Sequence, residues 1–306
     1  MEYVLETKGL CKTYKHYKAL DNLTMHVPKG AIYGFVGKNG AGKTTLIWLI
    51  TGLQFPTAGS YQIYGVDNTS PQIRKSRRRM GAVVETPSIY LDMTARDNMQ
   101  QQYRILGQPG YDGIPELLAL VGLGDTGKKK VKDFSLGMRQ RLGIALALTG
   151  NPEILVLDEP INGLDPQGIA EMRQLFVRLK EEKHLAIMIS SHILEELAKL
   201  ADTFGIIHDG RLLQEISREQ LMEECSSYAE IITTQPEQIT ASLEKMGYTR
   251  FQIMDKETVR VFERLDETAA MNRQLILDGC TVAQSRIVTA ELEDYFFKIT
   301  GGNRNA

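Results

Sequence analysis

The run Gly37-Lys38-Asn39-Gly40-Ala41-Gly42-Lys43-Thr44-Thr45 fills every fixed position of the pattern G-x-x-x-x-G-K-[ST]. It constrains the fold more than any other segment of the chain. Such a loop works between a buried strand and the start of a helix, because its backbone N–H groups must turn inward around phosphate oxygens. Both flanks are present: Ala31-Ile32-Tyr33-Gly34-Phe35-Val36 is short and apolar, and Leu46-Ile47-Trp48-Leu49-Ile50 continues without a breaker. Gly37, Gly40 and Gly42 free the backbone to curl, and a helix N-terminus near Lys43 favours negative charge. Lys43 suits the terminal phosphates and the Thr44 hydroxyl suits magnesium, with Lys38, Asn39, Ala41 and Thr45 completing the cradle. A Gly-rich turn with an incidental lysine would lack these flanks. The chain is expected to bind a nucleoside triphosphate.

Composition narrows the class. Of 306 residues, 42% are hydrophobic and 24% charged, and the formal charge is -2, which argues against bulk nucleic acid as a partner. Cys11, Cys225 and Cys280 are widely spaced and read as reduced thiols of a cytosolic protein. No apolar run approaches the ~18 residues that span a bilayer, and the N-terminus lacks a signal-peptide pattern. Any membrane connection is therefore expected to run through another chain.

Residues 1 to 36 alternate polar and apolar side chains, as antiparallel strands do. Residues 87 to 150 read as a helical insertion, with helices over Thr94 to Leu106 and Ile114 to Val121. Short apolar strands at Ile154 to Leu157, Ala186 to Ser190 and Phe204 to Ile207 then alternate with helices, which implies a parallel sheet. His208-Asp209-Gly210-Arg211 marks a hairpin. Beyond Glu215 the elements follow the order β-α-β-β-α-β, with strands at Tyr228 to Thr233, Phe251 to Met254, Thr258 to Phe262 and Cys280 to Val288. That is the order of a ferredoxin-like split unit, with an irregular set of packing strands as the alternative. Thr289 is expected to cap a last helix carrying Leu292, Tyr295, Phe296 and Ile299 on one face. The basic clusters Arg74 to Arg79 and Lys128 to Lys132 read as solvated faces, with nucleic acid or lipid as the alternative contact.

The apolar strand Ile154-Leu155-Val156-Leu157 ends in Asp158-Glu159, where an acid in a P-loop protein can hold magnesium and its neighbour can polarise water. Asn162-Gly163-Leu164-Asp165-Pro166 follows, Ser190-Ser191-His192 closes the next strand, and Phe134-Ser135-Leu136-Gly137-Met138-Arg139-Gln140-Arg141 precedes. Over roughly residues 2 to 215 this ordered set resembles the nucleotide-binding subunit of ATP-binding cassette (ABC) transporters. The resemblance implies an α/β P-loop NTPase fold with a mixed sheet core, an antiparallel β subdomain and a helical insertion. It implies an ABC nucleotide-binding domain over 1–216 with a helical subdomain at about 87–150, and the elements beyond read as a small accessory α+β domain over 217–306.

The same resemblance assigns roles. Asp158 matches the Walker B acid, Glu159 the catalytic glutamate, His192 the switch histidine and Asp165 the dimer-seam aspartate. Tyr14 lies where the family stacks an aromatic ring on adenine, with Tyr17 as a nearby competitor. Ser135 and Gly137 match the signature motif that clasps the ATP of a second subunit, although Leu136 and Met138 replace the usual glycine and glutamine. Glu85 stands where most members carry a glutamine near magnesium, and a carboxylate there would bind the ion more strongly than an amide. Glu85 and the signature together are similar to the ATPases of bacitracin- and lantibiotic-type peptide export.

ATP and Mg2+ are the implied cofactors. Separate transmembrane permease subunits, coupling near residues 85 to 105, and a second ATP-binding subunit, as in a homodimer, are the implied partners. The implied location is the cytoplasmic face of the cell membrane, reached only through the permease. Export of sodium, a drug or a lipid is the alternative within transporters. A chromosome-structure ATPase would need a long coiled coil between Thr45 and Ser135, where only about ninety residues without sustained heptads intervene. A ribosome-associated relative would normally carry two cassettes.

Overall fold

The computed structural model describes residues 2–289 and 292–301, which fall into two units, Met1–Arg218 and Glu219–Ala306. Residue 1 and residues 302–306, at the outer ends of the expected domains, lie outside the described residues. So do residues 290–291, and with them the expected junction between Thr289 and the last helix.

The first unit opens with a long hairpin, β1 (Tyr3–Tyr14) and β2 (Tyr17–Pro28), in which Tyr14 and Tyr17 are partners across the turn. β3 (Ile32–Val36) leads through the P-loop into α1 (Lys43–Thr51). β4 (Ala58–Ile63) and β5 (Val66–Asp67) complete an antiparallel sheet in the order β2-β1-β4-β5. After α2 (Ile73–Arg77) and β6 (Met80–Val83) come the insertion helices α3 (Ala95–Ile105), α4 (Ile114–Leu120) and α5 (Leu136–Leu148). Then β7 (Ile154–Asp158), α6 (Pro166–Lys183), β8 (Ala186–Ser191), α7 (Leu194–Ala198) and β9 (Thr203–His208) alternate, and β10 (Arg211–Ser217) folds back on β9. The turn Asp209-Gly210 has φ 46° and 77°, as a tight hairpin turn requires.

The central sheet runs β10-β9-β3-β8-β7-β6, parallel throughout except for β10. Every residue of β3, β7 and β8 is buried, which is why these strands read as unbroken apolar runs rather than alternating ones. Leu46, Ile47, Leu49 and Ile50 of α1 join one core with Leu23 and Met25 of β2 and with Val156 and Met188 of the central sheet. The helix is therefore apolar on nearly all sides. The order β3-β8-β7 sets the C-terminal ends of three neighbouring strands side by side, where the P-loop, Asp158-Glu159 and His192 emerge. Carboxyl ends of parallel strands are the usual place for a ligand in such sheets.

The insertion is fixed by local caps. Thr94 and Asp97 form a capping box at the start of α3. Asn98, 2% exposed, accepts from Tyr90 N at 2.7 Å and donates to Tyr90 O and Thr94 O at 3.0 and 2.9 Å, which pins the preceding loop to the helix.

In the second unit, α8 (Arg218–Glu224) precedes β11 (Tyr228–Ile232), α9 (Pro236–Lys245), β12 (Phe251–Ile253), β13 (Thr258–Val261), α10 (Thr268–Leu277), β14 (Gln284–Val288) and α11 (Leu292–Thr300). The sheet order β12-β13-β11-β14, antiparallel throughout, is that of a ferredoxin-like unit. Ala229, Ile231, Val259 and Val261 pack with Ile239, Leu243, Met271 and Leu275 of α9 and α10. The last strand starts at Gln284, not at Cys280 as expected. Cys280 N donates to Leu275 O at 2.9 Å and its side chain is buried in the helix core, so this residue closes α10 instead.

Candidate active site

The P-loop is held open by contacts that only glycine permits. A Cβ on Gly42, whose φ is 109°, would lie 2.6 Å from Ala19 O. One on Gly37 would lie 2.5 Å from Ile207 O. Lys43 opens α1, and its side chain, 6% exposed, donates through Nζ to Gly37 O at 2.6 Å and Lys38 O at 3.2 Å. The same Nζ lies 3.2 Å from Glu159 Oε1. That carboxylate oxygen is buried and has no hydrogen-bond partner among the described residues, so the ion pair alone meets it. The buried Glu159 oxygen, met by the ion pair and by no hydrogen bond, is the atom of this cluster with room for a further polar partner.

The two acids are fixed differently. Asp158, 4% exposed, accepts from Thr44 Oγ1 through Oδ2 at 2.8 Å and from Ser190 Oγ through Oδ1 at 2.5 Å. Glu159 sits in the left-handed region at φ 48°, costly for a residue with a Cβ and held here by its surroundings. Its N–H donates to Ser190 Oγ at 3.0 Å and Ser190 O at 3.2 Å. Its other carboxylate oxygen, Oε2, lies 2.9 Å from His192 Nδ1. The expected acid pair and histidine are thus brought together with Lys43 and Thr44.

A cavity of about 270 Å³ is lined by Tyr17, Ala19, Asn39, Gly40, Gly42, Lys43, Thr44, Thr45 and Glu159. Tyr17, 58% exposed, contributes its ring to this wall and donates its hydroxyl to Gly40 O at 3.2 Å. Tyr14 is not part of the wall; its hydroxyl bonds Gln54 and Lys12 Nζ lies 5.0 Å from its ring centroid.

Ser135 and Gly137 are not part of that wall either. Ser135 caps α5, its exposed Oγ accepting from Met138 N at 3.2 Å, and Leu136 beside it is 48% exposed. Leu136 and Gly137 meet the Gly163-Leu164 segment: a Cβ on Gly163 would lie 3.2 Å from Leu136, and one on Gly137 3.6 Å from Leu164. Asp165 caps α6, accepting from Gly168 N at 2.9 Å. Glu85 follows β6 on the far side of β7, exposed, with φ 57°, and its carboxylate has no hydrogen bond or ion pair among the described residues. One residue of the cluster carried no assigned role in the sequence: Ser190, wholly buried and opposite Asp158 in the strand register. A hydroxyl closing an otherwise apolar strand was the available signal.

Comparison with known proteins agrees with this geometry. The ABC transporter family matches residues 20–162. The chain is 41% identical over 306 residues to the uncharacterized ABC transporter ATP-binding protein YcbN of Bacillus subtilis (strain 168), covering 99% of both chains. It is 41% identical over 303 residues to the bacitracin transport ATP-binding protein BcrA of Bacillus licheniformis, again covering 99% of each. With the lantibiotic transport ATP-binding protein SrtF of Streptococcus pyogenes it shares 43% identity over 212 residues, 69% of this chain and 90% of that one. Among solved structures, the dimeric ATP-binding cassette MJ0796 bound to ADP and Pi superposes with a TM-score of 0.63 at 25% identity, covering 70% of this chain and 98% of that one. The chain belongs to the ATP-binding proteins of ABC transporters, and it is an ATPase.

Proposed function

We propose that this ATPase powers export of an antimicrobial peptide through a separate membrane permease, and that it acts as a homodimer with each ATP shared between two subunits. What carries the shared site is a separation of parts. Lys43, Thr44 and Glu159 line one pocket, with Asp158 bonded to Thr44 and His192 to Glu159, whereas Ser135 and Gly137 stand at an exposed helix start with no bond to this cluster among the described residues. A neutral hydroxyl and backbone N–H groups at a helix N-terminus suit a γ-phosphate presented by another copy. Asp165 and the Gly163-Leu164 segment against Leu136 and Gly137 fall at the same seam.

In this account the P-loop N–H groups and Lys43 hold the phosphates, and Tyr14 or Tyr17 covers the adenine. Thr44 and Asp158 offer hard oxygen donors within 2.8 Å of each other, which suits magnesium, and Glu85 would add a carboxylate on the β6 side. The ion would neutralise phosphate charge when bound. Glu159 takes a proton from the attacking water, and His192, at 2.9 Å, orients the Glu159 carboxylate and contacts the γ-phosphate. Phosphate arriving at Lys43 displaces Glu159 from its ion pair, which frees that carboxylate for water. Two subunits gripping one γ-phosphate close the dimer, and its loss reopens it. The permease docks near residues 85 to 105, which places the chain at the cytoplasmic face of the membrane. No described helix is long and apolar enough to cross a membrane.

The cargo class rests on the full-length similarity to BcrA and the similarity to SrtF. It is tested in a peptide-sensitive host carrying the chain with its neighbouring permease genes. Resistance to bacitracin or a lantibiotic should rise with the wild type and not with Glu159→Gln. Unchanged susceptibility in both would favour another cargo such as sodium, a drug or a lipid.

A further inference from the structure

We infer that Ser190 is a positioning residue that locks both acids of the site, setting the aim of the Asp158 carboxylate and the placement of Glu159. The inference rests on the roles proposed above for those two residues. Ser190 is 0% exposed and sits opposite Asp158 in the parallel β7–β8 register. Its hydroxyl has one proton and two neighbours that demand opposite things of it. Glu159 N–H, at 3.0 Å, can only donate, so Oγ must accept there. The hydroxyl proton is thereby committed to Asp158 Oδ1 at 2.5 Å, which an ionised carboxylate can only accept.

Two consequences follow from the direction of that proton. With Oδ1 tied to Ser190 and Oδ2 tied to Thr44 at 2.8 Å, the Asp158 carboxylate is held at both ends across β7, β8 and the start of α1. Rotation of either oxygen away from the pocket breaks a charge-assisted hydrogen bond. The Glu159 N–H, meanwhile, is shared between Ser190 Oγ and Ser190 O, and this anchors the residue at the positive φ that aims its carboxylate at Lys43 and His192. A purely apolar residue at this position would leave Asp158 Oδ1 buried without a partner and would halve the anchors on Glu159. Outer partners of a metal-binding carboxylate act in this way, tuning affinity without touching the ion.

The test compares Ser190→Ala, Ser190→Thr, Asp158→Asn and wild type in the full-length chain. Two readouts are used: Mn2+ binding by EPR in the presence of a non-hydrolysable ATP analogue, and steady-state ATP hydrolysis as a function of Mg2+. Ser190→Ala should melt as a folded protein and bind the analogue without metal as wild type does. Its Mn2+ affinity should fall roughly tenfold or more, with kcat falling by a similar factor and KM for ATP little changed. Ser190→Thr keeps the hydroxyl and should restore most of both. Wild-type Mn2+ affinity and kcat in Ser190→Ala, with Asp158→Asn impaired, would overturn the positioning role alone. Wild-type metal dependence in Asp158→Asn would overturn the metal role of Asp158 and this inference with it. A loss in Ser190→Ala that Ser190→Thr does not rescue, with both variants folded, would also overturn it, since packing rather than the hydroxyl would then be at work.

Discussion

Lys43 and Glu159 bring opposite charges into one pocket, 3.2 Å apart. The proposed account gives Glu159 a second use, as the base, so its removal should separate binding from chemistry. Glu159→Gln is expected to retain ATP binding while turnover falls by about 10²-fold or more, read by nucleotide fluorescence and phosphate release. The adenine end is a second residue-scale question. Tyr14 was the sequence's first choice, yet Tyr17 is the ring on the pocket wall, because the hairpin turn places the two as cross-strand partners with different surroundings. Tyr17→Ala and Tyr14→Ala, compared for ATP against inorganic triphosphate, will assign the platform: the true one weakens ATP by roughly 1–3 kcal/mol and leaves triphosphate unchanged. The motif residues were legible because each has one fixed chemical demand. Ser190 was not, because its importance lies in a strand register that spacing along the chain does not reveal.

At the scale of elements, α5 and the turn after β6 approach each other closely. A Cβ on Gly143 would lie 2.7 Å from the ring of Pro87, two residues beyond Glu85. In a helix interior, glycine to alanine ordinarily stabilises by about 0.5–1 kcal/mol. Here the steric clash with a rigid ring, worth about 1–3 kcal/mol, should win. Gly143→Ala is therefore expected to lower the melting temperature and to slow turnover by shifting the Glu85 turn; a stabilised protein would show that the turn simply moves aside. Helices and buried strands were readable from apolar periodicity, capping residues and turn glycines, as at Thr94 and Asp209-Gly210. The early start assigned to β14 failed because Cys280 looks equally apolar in a strand or against the end of α10. Only packing chose between them.

For the whole molecule, charge and burial set the pH limits of stability. Glu153 is held below its ordinary value by hydrogen bonds from Arg79, and Asp278 by those from Ser242 and Gln274. A lowered folded pKa contributes stability that is present above the unfolded carboxylate value and lost as pH falls through the folded one. The acid limb should therefore appear below about pH 4. Burial, reinforced by Glu215, pushes the Tyr33 phenol well above its ordinary value, so its contribution is complete below about pH 10 and lost as pH rises toward the folded value. Melting curves across pH, with loss of stability at both extremes and a plateau between, check both signs.

The fold of each unit was legible because element order alone restricts the topologies that short connections allow. In the proposed account the partnership between subunits is read only through the signature residues, since the chain by itself would present half of each site. The account's central claim is that division. Sedimentation velocity of Glu159→Gln with ATP and with ADP, both with Mg2+, tests it most directly. The account predicts a dimer with ATP and a monomer with ADP; a monomer in both would contradict it.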